Sequence, residues 1–420
     1  MKNLYCYILL LSVAFPFSLS LASNKTDTIF YKAELESTNL PLMLKIINLE
    51  DTTQYLISSP LQSKENFPPS KVKYIEDSLS LGFKKLGIVL HLKANEDSTE
   101  LKGTFTQRFL HSAIVFKKQD KDFALLRPQT PLPPFSYKEK ELTFRNPECE
   151  YEFHGILTYP EKEGKYPCVV LVSGSGAQDR NCEIYQHKPF LVIADYLTKN
   201  GYAVFRYDDR GWGYTDEKMY KGTTKDFAHD AYCAMQMLKN EDVIDQTKIG
   251  IAGHSEGGLI AQMLCAEHKD IAFAILMAAP GIDGKKVLTT QLQLQYADKP
   301  TLLEQQLNTY VNREYDTTKV SDYWLDFFVR TDPVPFIKKM RCPTLVLQGE
   351  KDFQVILEEN LPQIRKNIHK KAIIKTYPDI NHLFQHYNPS QPTNYASIEE
   401  TISTDVLKDI LDFLNSLYKK

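Results

Sequence analysis

The 420-residue sequence predicts an α/β fold: a mainly parallel sheet with helices on both faces and a helical cap, preceded by a small antiparallel β domain. Three observations lead there. From residue 137 onward, short apolar runs that read as buried strands alternate with longer helix-like segments, as in a parallel sheet covered on both sides. Before residue 126 the pattern is one of short strand-like runs separated by turns. Between the two, Pro128, Pro131, Pro133 and Pro134 favour stiff extended backbone, so a linker is expected at residues 127–136.

Residues 1–22 read as a signal peptide. Lys2 supplies a short positive region, Leu4 to Leu21 is mostly apolar, and Ser20-Leu21-Ala22 has the small-x-small form recognised before cleavage. An uncleaved membrane anchor is the alternative, and Pro16 with the small residues after it favours processing. The mature protein is therefore expected to be exported, periplasmic or secreted, and soluble. Residues 23–126 contain strand-like runs at Thr28 to Tyr31, Leu42 to Ile46, Ile88 to Leu92 and Thr104 to Gln107, with a turn at Asn95 to Ser98. An antiparallel meander, open or partly closed into a barrel, accommodates them.

The larger domain, residues 137–420, opens with two antiparallel strands, from Tyr137 and through Tyr151 to Leu157. Buried strands are expected at Cys168 to Val172, Tyr202 to Phe205, Ile249 to Ala252, Phe273 to Met277, Thr344 to Leu347 and Ala372 to Thr376. Helices are expected at about 188–200, 224–240, 255–268 and 355–368. A last one, at about 398–418, has a face made by Ile398, Ile402, Val406, Ile410, Phe413, Leu414 and Leu417. Residues 284–336 break the alternation with helical periodicity alone, and a cap is placed there.

Composition is that of an ordinary globular protein, 43% hydrophobic and 25% charged. A formal net charge of −3 gives no basic field for nucleic acid. Of the seven cysteines, Cys6 lies in the leader; Cys168, Cys233, Cys265 and Cys342 read as small core residues, and Cys149 with Cys182 is the pairing to check. Their spacing is not that of metal ligands.

The chemistry is carried by Gly253-His254-Ser255-Glu256-Gly257-Gly258, which follows a strand and opens a helix. Such a turn lifts Ser255 onto a nucleophile elbow, where small neighbours let the two chain arms pass closely. A serine hydroxyl needs a base to take its proton, and the base needs an acid to fix its tautomer. Asp352, in the loop after the strand at Thr344, is the candidate acid, with Glu350 as rival. His382, in the loop after the strand at Ala372, is the candidate base, with His386 as rival. All three emerge from the carboxyl edge of one parallel sheet, where open α/β folds place their ligands. The oxyanion that forms during acyl transfer needs two amides. One is assigned to Glu256, the residue after the nucleophile, and the other to Ser175, in the Gly/Ser loop Ser173 to Arg180. No cofactor or metal is implied. Asp208-Asp209-Arg210-Gly211 is expected to brace its loop against Asp179-Arg180, and Tyr323, Trp324, Phe327 and Phe328 fit an acyl pocket or the cap's own core equally well.

These motifs together resemble the exported bacterial α/β-hydrolase esterases. That resemblance rests on Ser173 to Arg180, Asp208 to Gly213, Gly253 to Gly258, Cys342 to Val355 and Asn381 to Gln385, and spans about residues 126–418. It implies an α/β-hydrolase fold, a Ser255, Asp352, His382 triad and hydrolysis of small-molecule carboxylic esters. The first domain resembles the lipocalin-like half barrel that often precedes such enzymes. At Trp212 and at Tyr214-Thr215 the chain departs from the family's usual small aliphatic residue and Lys-Ser pair, which bears on acyl or alcohol preference. Two other functions stay open. A serine aminopeptidase would use the same triad and a cap carboxylate for the free amino terminus, with Glu304, Glu314, Asp316, Asp322 and Asp326 available. A ligand-binding protein would use the first domain and leave the second inert.

Overall fold

The computed structural model describes residues 27–35, 40–60, 65–75, 77–107, 110–122, 126–213, 221–389 and 395–419. The expected signal peptide and Tyr214-Thr215 lie outside them. The chain divides into two units, Met1–Leu126 and Arg127–Lys420.

The first unit is one antiparallel sheet of eight strands: β1 (Asp27–Leu35), β2 (Leu40–Asn48), β3 (Thr53–Ser58), β4 (Lys71–Ile75), β5 (Ser78–Phe83), β6 (Ile88–Ala94), β7 (Glu100–Gln107) and β8 (Leu110–Gln119). Their order is β3-β2-β1-β8-β7-β6-β5-β4. Because β1 pairs with β8, the meander curls round on itself and its ladder is open only between β3 and β4. Tyr55 and Tyr74 join their hydroxyls across that gap. Alternate residues face inward, such as Leu90 on β6 opposite Phe105 on β7, and with Leu44, Leu81 and Phe116 they form a core of this unit alone.

The second unit holds the parallel sheet. Its strands are β9 (Tyr137–Arg145), β10 (Glu152–Pro160), β11 (Tyr166–Val172), β12 (Ala203–Tyr207), β13 (Ile244–His254), β14 (Ala274–Met277), β15 (Thr344–Gly349) and β16 (Ile373–Tyr377), in the order β16-β15-β14-β13-β11-β12-β10-β9. Pairing is parallel from β12 through β16 and antiparallel at β9 and β10. The unbroken apolar run of β11 has a physical cause. Cys168, Val170 and Val172 pack on one side with α2 (Thr224–Leu238) and α3 (Glu256–Glu267), while Val169 and Leu171 pack on the other with α1 (Pro189–Lys199) and α9 (Thr404–Tyr418). Between β14 and β15 run α4 (Gly284–Gln295), α5 (Pro300–Tyr310), α6 (Val320–Arg330) and α7 (Val334–Lys339); α8 (Leu357–Asn367) follows β15.

One expectation needs correction. The last helix begins at Thr404, not near 398, because the Ser403 side chain caps it by accepting from the Asp405 amide. Ile402 is still buried, but from the segment before the helix. The proline-rich stretch is also more than a spacer. The Arg127 guanidinium donates to the carbonyls of Tyr185, Ala396 and Ile398, and Gln129 bonds the backbone of Thr401 and Ile402. Its first residues thus stitch onto the second unit.

Candidate active site

Ser255 stands between β13 and α3 with φ 57° and ψ −119°, a strained conformation for a residue that carries a Cβ. Strand and helix approach so closely there that a Cβ on Gly253 would meet the Gly257 carbonyl oxygen at 1.9 Å, and one on Gly257 would meet that of Val172 at 2.2 Å. The Ser255 amide donates to the Met277 carbonyl at 2.9 Å, tying the turn to the next strand. Its hydroxyl does not cap α3, which leaves Oγ free for chemistry.

Asp352 leaves the sheet after β15, two strands from β13, and His382 after β16, three strands away. His382 Nδ1 and Asp352 Oδ2 are 2.8 Å apart, both residues buried. The carboxylate accepts three further bonds, from Gln348 Nε2 at 3.0 Å and the amides of Gln354 and Val355 at 2.8 and 2.9 Å. With four donors converging on it, its charge is compensated in place, and the contact at Nδ1 assigns that proton to the Asp352 side and leaves Nε2 as the basic nitrogen. The Asn381 side chain accepts from the amides of Leu383 and Gln385 and so shapes the loop that carries the imidazole. His386 is instead exposed and bound to Glu400, and Glu350 is an exposed turn residue.

Ser255 and His382 line one cavity of about 270 Å³, with Ser175, Glu256, Leu288 and Phe328 among its walls. The Gly/Ser loop reaches the nucleophile closely: a Cβ on Gly174 would stand 3.1 Å from Ser255 Cβ and 3.6 Å from Oγ. Ser175 and Glu256 therefore flank the nucleophile on the loop and helix sides. A second cavity, of about 200 Å³, adjoins the first. Gly174, Glu256 and Trp324 line both, while Tyr207, Phe227 and Ile260 line only the second.

Sequence reasoning missed two side chains. His254 enters the sequence reading only as part of the elbow motif, yet its Nε2 donates to the backbone carbonyl of His382 at 2.8 Å and so joins elbow to base loop. Burial, and then the neighbouring His382, hold its pKa down to about 4, which keeps this ring neutral. Its place beside the nucleophile in the sequence was the available signal. Glu256 was read for its amide alone. Its carboxyl is fully buried, with Oε1 accepting from Thr224 Oγ1 at 2.7 Å and Trp324 Nε1 at 2.9 Å. Burial raises its pKa against the pull of those donors and of the Ser175 side chain.

The acidic loop after β12 does two jobs. Arg180 pairs with Asp208, as a brace should. Asp209 accepts from Ser173 Oγ at 2.5 Å and the Gln178 amide at 2.9 Å, whereas Arg210 turns to Asp230 of α2, at 2.6 and 2.9 Å. Trp324 lines the cavities and stacks on Phe328, so the aromatic run serves both pocket and cap core. Cys149 and Cys182 are both free thiols, and the Cys182 Sγ donates to Gln178 Oε1. Among the described residues no group of three or more His, Cys, Asp or Glu is arranged to hold a metal, and no helix is long and apolar enough to cross a membrane.

Sheet order, elbow and the Asp352–His382 contact define the second unit as an α/β-hydrolase fold. Residues 168–324 match the family model described as serine aminopeptidase, S33. Over 260 residues the chain is 27% identical to the esterase EstD of Thermotoga maritima, covering 60% of this chain and 61% of that protein. Over 241 residues it is 24% identical to dipeptidyl-peptidase 5 of Porphyromonas gingivalis, covering 53% of this chain and 31% of that one. Neither match reaches two thirds of the relative's length. Among solved structures, the Pyrococcus furiosus esterase Pf2001 is similar at a TM-score of 0.47 and 17% identity, over 70% of this chain and 99% of that one.

Proposed function

We propose that this chain is a serine esterase that hydrolyses carboxylic esters of small molecules through an acyl-enzyme on Ser255. One observation carries the reading: a serine held in a strained elbow faces the same cavity as a histidine whose Nδ1 is fixed by a buried carboxylate. His382 Nε2 takes the proton from Ser255 Oγ as the oxygen attacks the ester carbonyl, and the amides of Ser175 and Glu256 receive the oxyanion. The tetrahedral intermediate collapses, His382 returns the proton to the departing alcohol, and water repeats the sequence to release the acid. Asp352 stabilises the imidazolium in both halves. The esterase EstD supports ester chemistry.

Peptide hydrolysis is the second reading, favoured by the family match at residues 168–324. The cap carboxylates offered for an amino terminus are otherwise placed. Asp322 is held by Arg313 at 2.5 Å, Asp326 by Arg330 at 2.6 Å and Asp316 by Lys319 at 3.5 Å, while Glu304 and Glu314 are exposed. Ester hydrolysis therefore takes precedence.

The test is labelling by a fluorophosphonate probe beside turnover of acyl esters and aminoacyl amides. Wild type should be labelled and should cleave the esters; Ser255→Ala should do neither while remaining folded. Labelling retained in that variant would remove Ser255 from the reaction, and faster cleavage of the amides would favour the peptidase. Export of the mature enzyme is part of the proposal, supported by the apolar leader and its small residues before position 22. Enzyme confined to the cytoplasm of the producing cell would refute it.

A further inference from the structure

The second cavity contains none of Ser255, Asp352 and His382, yet it shares Gly174, Glu256 and Trp324 with the cavity that holds the serine and the histidine. Its walls are largely apolar and aromatic, with Phe227, Tyr207, Ile260 and Trp324, and about 150 Å³ already suffices for benzene. A chamber of about 200 Å³ therefore fits a substituted ring.

Glu256 is a buried carboxyl in the wall that the two cavities share. Oε1 takes two hydrogen bonds, from Thr224 and Trp324; Oε2 is buried and has no hydrogen bond formed in this structure, although the Ser175 side chain lies close enough to pull on the carboxyl. That asymmetry is the pattern of a protonated carboxyl, with Oε1 as the carbonyl oxygen and Oε2 as the hydroxyl. An ionised group would leave a buried, charged oxygen with no hydrogen bond formed to it, a costly arrangement. It would also set a negative charge on the residue whose own amide must receive the oxyanion, opposing catalysis. Among the described residues lining the chamber the one cation, Arg210, is committed to Asp230 through two bonds. Asp209, the remaining carboxyl there, is pushed up to about 8 by burial and adds no compensating positive charge. The upward shift of Glu256 through burial agrees with the geometry.

Chemistry fixes which limb of the ester enters. His382 must protonate the leaving alcohol, so the alcohol side lies beside His382 in the main cavity. The acyl side then points away from it, toward the boundary formed by Gly174, Glu256 and Trp324. We propose that the second chamber receives the acyl limb and that Glu256, as a neutral acid, donates an Oε2–H hydrogen bond to an oxygen on it, so that the preferred substrates are esters of aryl acids bearing a carbonyl or ether oxygen. The acyl assignment rests on the esterase reading; the binding of the ring does not.

The two parts are separable by experiment. Calorimetric binding of acetophenone is compared with that of its isostere α-methylstyrene and of benzylammonium, in wild type, Glu256→Gln and Glu256→Leu. Glu256→Leu should weaken acetophenone about tenfold and α-methylstyrene by less than about twofold, while Glu256→Gln, which keeps a donor, should retain most of the difference. In wild type alone, the carbonyl stretch of bound acetophenone should move to lower frequency, which keeps the test open if a variant fails to fold. Equal responses of the two isosteres, an unshifted carbonyl or tighter binding of benzylammonium would overturn the neutral-donor assignment. On the ester side, 4-nitrophenyl 4-acetylphenylacetate should exceed its 4-isopropenyl analogue in kcat/KM by about tenfold. Turnover of both without preference would overturn the acyl placement and leave the esterase standing. Turnover of neither, nor of any other ester, would sink the esterase reading, with ring binding still judged by calorimetry.

Discussion

Ser255 and its neighbours do three different jobs within three residues. Ser255 offers the nucleophile, Glu256 turns its carboxyl into the pocket wall, and His254 donates to the carbonyl of His382. The roles proposed for the triad predict graded losses. His382→Ala should lower kcat by several orders of magnitude, and Asp352→Asn by less, because the acid acts on orientation and charge alone. Steady-state kinetics on a soluble ester measures both, and equal, small losses would contradict the assignment. His254 should act by position. His254→Phe keeps a ring in the buried site but removes the donor, so kcat should fall roughly 10- to 100-fold with KM little changed. His254→Gln, which restores a donor, should recover part of it; a fall in KM alone, or no recovery, would speak against a positioning role. Ser255, Asp352 and His382 were legible as candidates because each lies just past a readable strand. The Glu256 side chain was not, because Thr224 and Trp324, which hold it, lie 32 residues before and 68 residues after. Only the folded chain brings them together.

At the level of elements, the elbow packs backbone directly against backbone. Gly257 has the Val172 and Ser173 carbonyl oxygens at 2.2 and 2.4 Å from where a Cβ would stand, and both belong to backbone that cannot move without moving β11 or the Gly/Ser loop. Gly257→Ala is therefore expected to destabilise the protein by about 3 kcal/mol or more and to abolish probe labelling. Urea unfolding with a labelling assay checks it, and a stable, labelled variant would mean that the loop tolerates displacement. The strands of this half were easy to read, since burial on both faces removes the polar alternation and leaves continuous runs such as Val169-Val170-Leu171-Val172. The start of α9 was misread because Ile398 and Ile402 continue the helical period by chance. The local signal that ends the ambiguity is Ser403 before Thr404-Asp405, a cap followed by an acidic first turn.

For the whole molecule, every proposed catalytic group and both cavities belong to Arg127–Lys420, as do the carbonyls of Tyr185, Ala396, Ile398 and Ile402 to which Arg127 and Gln129 donate. A chain shortened to residues 127–420 should thus keep fluorophosphonate labelling and turnover of small esters, whereas one beginning at residue 131 should be less stable in thermal unfolding. A folded but inactive 127–420 chain would assign the first unit a part in the chemistry. Stability should also depend on pH in a direction set by Asp209. Burial, the largest cause, raises its pKa to about 8 against the bonds from Ser173 and Gln178. An unfolded aspartate titrates near ~3.9, so between about pH 4 and pH 8 the folded chain holds a proton that the unfolded chain has lost. Asp209 accordingly lowers stability as pH rises through that window. His254 has the opposite sign: held to about 4, its neutral form favours the fold above about pH 6.5, and that contribution fades as pH falls toward 4. Asp209→Asn leaves His254 in place and keeps an acceptor for Ser173 and Gln178, so the difference between variant and wild type isolates Asp209. From pH 5 to pH 8 the variant should gain on wild type by on the order of 2–4 kcal/mol, read from urea midpoints at the two pH values. Parallel pH profiles would show that the carboxyl is ionised in the fold, and the chamber it shares with Glu256 would then carry a negative charge at neutral pH.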